Sequence, residues 1–124
     1  MKLEQIEQIS RENGITIERM KTMHGRYWPK KKLIKIPNIK GDVSYSIALH
    51  ELGHLLGKRS GRRLDKEVQA WEWAIENAIE WTDAMNEHMK KCLRSYLSWC
   101  QRRRGAWIPP NEHRAWKMAG MEKV

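Results

Sequence analysis

The chain has 124 residues, of which 40% are hydrophobic and 31% charged, with four prolines and eight glycines. That length fits one folded domain around one core, and the composition excludes a disordered or low-complexity protein. A formal net charge of +9 favours an acidic partner, either nucleic acid or an acidic protein, or serves solubility alone.

Residues Lys2 to Glu12 set Leu3, Ile6 and Ile9 three apart, which suits a short amphipathic helix ended by Asn13-Gly14. Residues 15–17 read as a strand, Gly25 and the pair Tyr27-Trp28 as a turn before Pro29, and residues 33–36 as a second strand closed by Pro37. A small sheet of two or three strands is expected. From Val43 the apolar positions become too continuous for a surface helix, so a buried helix is predicted, stopped at Gly57. A basic loop over residues 58–63 follows, then a helix from Leu64 to about Trp81, a break near Thr82-Asp83, and a helix to about Arg103. Pro109-Pro110 precedes a last short helix over residues 111–119.

No apolar stretch approaches the ~20 residues that cross a bilayer, and Glu4 stands where a signal peptide would be apolar. A cytoplasmic location is expected. Cys92 and Cys100 lie on one predicted helix, where 1.5 Å per residue separates them by about 12 Å, beyond the roughly 7 Å that a disulfide spans. They are expected to be free thiols. Tryptophan is abundant while phenylalanine is absent. The tryptophans read as bulky core filling whose indole N–H groups find partners.

Within the predicted buried helix lies His50-Glu51-Leu52-Gly53-His54, an HExxH motif in the setting such a motif requires. Positions i and i+4 differ by only ~40° around a helix and ~6 Å along it, so both imidazoles can converge on one ion. Glu51 points to the neighbouring flank, placed to take a proton from the attacking water without binding the metal. Zinc would act as the Lewis acid and Glu51 as the general base of amide hydrolysis. Ordinary residue usage would give the triplet by chance in on the order of a few chains per thousand of this length. Two histidines and a glutamate on an apolar helix would also be costly to bury without a partner.

A catalytic zinc keeps three protein ligands and one open position. The third ligand is sought at the start of the next helix, among Asp65, Glu67 and Glu72. Glu67 is preferred because it shares a helical stripe with Trp71, Ala74 and Ala78, whereas Glu72 falls with Glu76 and Glu80 on the wet side. An N-terminal helix acid favoured by the helix dipole is the bland alternative for Glu67.

The run Ser46-Ile47-Ala48-Leu49-His50-Glu51-Leu52-Gly53-His54-Leu55-Leu56-Gly57, followed by Glu67-Val68-Gln69-Ala70-Trp71-Glu72-Trp73-Ala74, resembles the ImmA/IrrE family of zinc metallopeptidases. In that family the glutamate of the second segment completes the metal site, which here is Glu67. Trp71 stands where the family has Asn or Asp, and Trp73 where it has Phe. The resemblance extends upstream through residues 15–17, the Gly25-Arg26-Tyr27 turn and residues 33–36, covering roughly residues 1–80. It implies an α+β, zincin-like domain in which a short sheet packs on the HExxH helix. Within residues 1–124, residues 1–81 would form the minimal core and residues 82–124 a helical C-terminal extension. It further implies limited proteolysis of a repressor-type transcription factor in phage or mobile-element regulation.

Other constellations are weaker. His88 and Cys92 are four apart and could form half a metal site, but no second pair accompanies them, so a buried thiol beside a surface histidine is expected. His113 or Tyr27 could donate a hydrogen bond to a developing oxyanion. The competing function is a basic module that grips nucleic acid or a host protein through Arg102, Arg103 and Arg104 or through Lys30, Lys31 and Lys32, with a structural or vestigial zinc site. A DNA-associated protease of the SprT-like kind would need a third histidine soon after the motif, and the next one is His88.

Overall fold

The computed structural model describes residues 1–103, 105 and 107–121. Chain order is α1 (Lys2–Glu12), β1 (Thr16–Met20), β2 (Arg26–Trp28), a 3-10 turn (Pro29–Lys31), β3 (Leu33–Pro37), α2 (Asp42–Leu56), α3 (Arg63–Asn77), α4 (Asp83–Arg102) and α5 (Arg114–Met118). The fold is α+β, with five helices and one mixed three-stranded sheet among the described residues.

The sheet order is β1-β3-β2, with β1 parallel and β2 antiparallel to β3. The stretch expected to be a turn at Arg26-Tyr27 is therefore an edge strand, with Tyr27 opposite Ile34 and Trp28 opposite Leu33. Lys32, in the left-handed region at φ 48°, reverses the chain between the 3-10 turn and β3, and its carbonyl accepts from Thr16 N–H at 2.8 Å.

Helix α2 is mostly buried, its polar residues included, because it is enclosed on several sides, packing on β3, β2, α1, α3 and α4. Ser44 Oγ accepts from the backbone N–H groups of Lys40 and Gly41 at 2.8 and 3.1 Å, fixing its start. The core continues from Ile34 and Ile36 through Tyr45, Leu49 and Leu52 to Leu64, Val68 and Trp71, then to Met85, Met89, Leu93 and Leu97. These last four, spaced four apart, make the buried stripe of α4 and tie residues beyond 82 into the same core.

Helix α3 stops at Asn77 rather than near Trp81, for a tertiary reason. Tyr45 Oη accepts from Ile79 N–H at 3.0 Å, and Gln5 Nε2 donates to the Asn77 carbonyl at 2.6 Å. Side chains from α2 and α1 thus satisfy groups that another helical turn would have used. Helix α5 is likewise shorter than expected: His113 caps it, with Nδ1 accepting from Ala115 N–H at 3.1 Å. No helix among the described residues is long and apolar enough to cross a membrane. Cys92 and Cys100 are free thiols.

Candidate metal centre

Helix α2 carries His50 and His54 on successive turns, with their Nε2 atoms 3.1 Å apart. Helix α3 brings Glu67 onto both: Oε1 lies 3.3 Å from His50 Nε2 and Oε2 2.5 Å from His54 Nε2. His50, Glu51 and His54 also each offer a ligand atom within 4.8 Å of the others. The approach of α3 depends on Gly53, the glycine inside the motif. A Cβ there would stand 2.4 Å from the carbonyl oxygen of Ala70, so any side chain would wedge the two helices apart.

The other two acids weighed as ligands are engaged elsewhere. Asp65 Oδ1 accepts from His113 Nε2 at 2.7 Å and Asp65 Oδ2 from Arg62 N–H at 2.8 Å. Glu72 is bidentate with Arg114, both contacts at 3.1 Å. His113 has both ring nitrogens committed, one to Asp65 and one to the α5 cap. It is not available to donate to an oxyanion.

Burial alone would raise the Glu67 pKa, but hydrogen bonds from His50 and His54 outweigh it and hold the carboxyl well below the usual range. Burial lowers the His50 pKa despite the hydrogen bond to Glu67. Glu51 is 4% exposed, and burial, together with the charge of Glu67, pushes its pKa up to about 8. Its carboxylate rests against the backbone at Gly25, where a Cβ would come within 2.5 Å of Oε2. Gly25 is therefore a shape requirement of Glu51, which sequence alone did not signal.

The donor set is of the kind that could hold a metal ion. Two imidazole lone pairs cannot face each other at 3.1 Å unless a proton or cation lies between them, and Glu67 adds an anionic oxygen to each. Bonds of about 2.0–2.1 Å in a tetrahedron put ligand atoms roughly 3.4 Å apart, close to the 3.1 and 3.3 Å separations made by His50, whereas His54 and Glu67, at 2.5 Å, stand as a hydrogen-bonded pair that would have to open to admit an ion.

Aromatic rings hold both imidazoles. Tyr27 of β2 stacks on His54, with centroids 3.9 Å apart and planes at 4°. Trp71 stacks on His50 at 4.0 Å and 9°. Trp71 Nε1, expected to find a partner, is buried without one among the described residues. A cleft of about 660 Å³ opens over the centre, lined by His50, Glu51 and Glu67 together with His24, Ile47 and His88 among others. His88 and Cys92 meet as expected, Nε2 to Sγ at 3.5 Å. Both are half-buried and line this cleft, rather than one being buried and the other on the surface. On the far flank of His54, a hollow of about 580 Å³ is lined by Tyr27, Pro29, Arg59 and Lys66, so part of the basic loop does border the site.

Comparison of the chain with protein-family models, with curated proteins and with solved structures gives no match.

Proposed function

We propose that this chain is a zinc-dependent metalloendopeptidase of the HExxH type, zincin-like in its fold, that hydrolyses a peptide bond in a specific protein partner. The observation that carries the reading is the division of carboxylates. Glu67 spans both Nε2 atoms, whereas Glu51 stands on the adjoining flank against Gly25 and lines the open cleft. His50, His54 and Glu67 would hold the ion, which when bound would polarise a carbonyl and lower the pKa of a water molecule.

The chain's own residues supply the rest. The ionised form of Glu51 would be favoured by a cation held by His50, His54 and Glu67, against the burial that raises its pKa. The Glu51 carboxylate then accepts the water proton and returns it to the leaving amine. Trp71 and Tyr27 keep the imidazoles from turning, and Glu67 stands beside both Nε2 atoms to complete the protein ligands of the ion. Residues 33–36, bounded by Pro29 and Pro37, read from the sequence as an edge strand that an extended substrate would join, but β3 has partners on both sides, so no substrate can add to it. The edge strand β2, which carries Tyr27 beside His54, suits that role. The resemblance to ImmA/IrrE peptidases suggests a repressor-type regulator as the substrate class, with zinc as cofactor and the cytoplasm as location.

The test is metal analysis of untagged protein beside a His50→Ala/His54→Ala variant, paired with cleavage of candidate regulators. About one zinc per chain in the wild type alone, with cleavage that needs Glu51, is the expected result. Zinc held with no cleavage of any regulator would leave the binding-module reading in its place.

A further inference from the structure

A second constellation lies between the start of α3 and the end of α4. Arg62 lies over the ring of Trp107, Arg63 over Tyr96 and Arg103 over Trp99, with guanidinium carbons 4.5, 5.9 and 5.0 Å from the ring centroids. These six residues line one open groove of about 430 Å³, and no acidic side chain is among its described lining residues. Trp99 and Trp107 are 40% and 36% exposed, far more than core tryptophans such as Trp71. The groove continues along α4 through Cys92 and Ser95, which also line the cleft over the metal centre.

Two physical features mark this as more than packing. Arg62 and Arg63 sit at the N-terminus of α3, the positive end of the helix dipole, where cations are disfavoured and an anion is favoured. Asp65, the acid of that turn, is already engaged by His113 and the Arg62 backbone, so it does not offset both guanidinium charges. The aromatic faces are the second feature. An acidic peptide would use the arginines and leave the rings idle, and a duplex hides its base faces.

We infer that this groove binds single-stranded nucleic acid, with Arg62, Arg63 and Arg103 taking phosphates and Tyr96, Trp99 and Trp107 stacking on unpaired bases. Each guanidinium lies over one face of its ring, and a base would meet the exposed part of Trp99 and Trp107. The segments expected from sequence to grip a partner were residues 102–104 and 30–32. Only Arg103 of these belongs to the groove, and Arg104 lies outside the described residues.

The experiment is a titration of labelled oligothymidylate and oligouridylate with full-length protein at several salt concentrations, with circular dichroism on every variant. Trp99→Ala/Trp107→Ala leaves net charge unchanged and is expected to weaken binding by roughly tenfold or more. Arg62→Ala/Arg63→Ala/Arg103→Ala should flatten the log K against log salt slope by about 0.7 per lost contact. Lys30→Ala/Lys31→Ala/Lys32→Ala removes the same formal charge elsewhere and should weaken binding several-fold less than the arginine variant.

The inference is overturned if the wild type binds neither oligonucleotide, or if the lysine and arginine variants lose equal affinity. It is equally overturned if the tryptophan variant binds normally, or if duplex DNA or polyglutamate competes as well as a single strand. Should the tryptophan variant unfold, Trp99→Leu alone, at an exposed position, serves the same comparison. Binding by a His50→Ala/His54→Ala variant should equal that of the wild type, so this site and the peptidase reading fail separately.

Discussion

The indole of Trp71 lies flat on the imidazole of His50, ring centroids 4.0 Å apart, while its Nε1, buried, has no hydrogen-bond partner among the described residues. A buried unsatisfied N–H costs about 1–3 kcal/mol, so this tryptophan is held for its face rather than its donor. Trp71→Phe keeps a ring on His50 and removes the orphan donor, so its stability should stay within about 1.5 kcal/mol of wild type. Trp71→Ala should cost about 3–5 kcal/mol and weaken zinc affinity by roughly 10-fold, as loss of an orienting neighbour does. Chemical denaturation and competition with a zinc chelator measure the two effects. Unchanged zinc affinity in Trp71→Ala would show that the stack only fills space.

Two glycines set the carboxylates in place, and their substitution should separate folding from chemistry. Gly53→Ala puts a methyl group 2.4 Å from the Ala70 carbonyl oxygen, a backbone atom that can yield only if α2 and α3 separate. It should cost roughly 1–3 kcal/mol or more and weaken zinc affinity with it, since Glu67 moves with α3. Gly25→Ala instead meets the Glu51 side chain, which can turn aside. It should leave zinc near one equivalent and lower peptide cleavage. Thermal unfolding, metal content and cleavage rate read the contrast, and loss of zinc in Gly25→Ala would contradict it.

What could be read in advance divides by the range of the forces involved. The convergence of His50 and His54 follows from helix geometry over four residues, and Glu67 from a stripe within its own helix, so both were legible. The end of α3 at Asn77 was not, because Tyr45 and Gln5, far away in the chain, terminate it. Nor was the central place of β3, which turns on Arg26–Trp28 pairing as a strand of only three residues. Gly25 carries no local mark of its contact with Glu51. Trp71 read as core, and it is core, yet the same ring serves His50.

Strand β2 forms one edge of the sheet, antiparallel to β3, with Tyr27 against His54. If substrate pairs with this edge, its backbone N–H groups alternate between bonding β2 and facing away. Single N-methylation along a cleaved peptide should then reduce cleavage at alternate positions by roughly tenfold, about the value of one hydrogen bond, and have little effect between them. Uniform sensitivity, or none, would place the substrate off the edge.

The decisive contrast is between Glu51 and Glu67, two buried carboxylates given different work. Glu51→Gln preserves size and helix propensity but cannot accept a proton. Zinc should remain at about one equivalent while peptide cleavage falls by roughly 10²–10⁴-fold, the usual contribution of a general base. Glu67→Gln leaves His50 and His54 without the anion that now touches both at 3.3 and 2.5 Å, so zinc affinity and activity should fall together. Removing zinc from the wild type with a chelator should abolish cleavage, and restoring it should recover the rate, except in Glu51→Gln. Equal zinc loss in both variants would show that Glu51 is a ligand and undo the assignment. Unchanged zinc affinity in Glu67→Gln would mean that the two histidines hold the ion without it, and the search for a third ligand would turn to the cleft wall at His88 and Cys92.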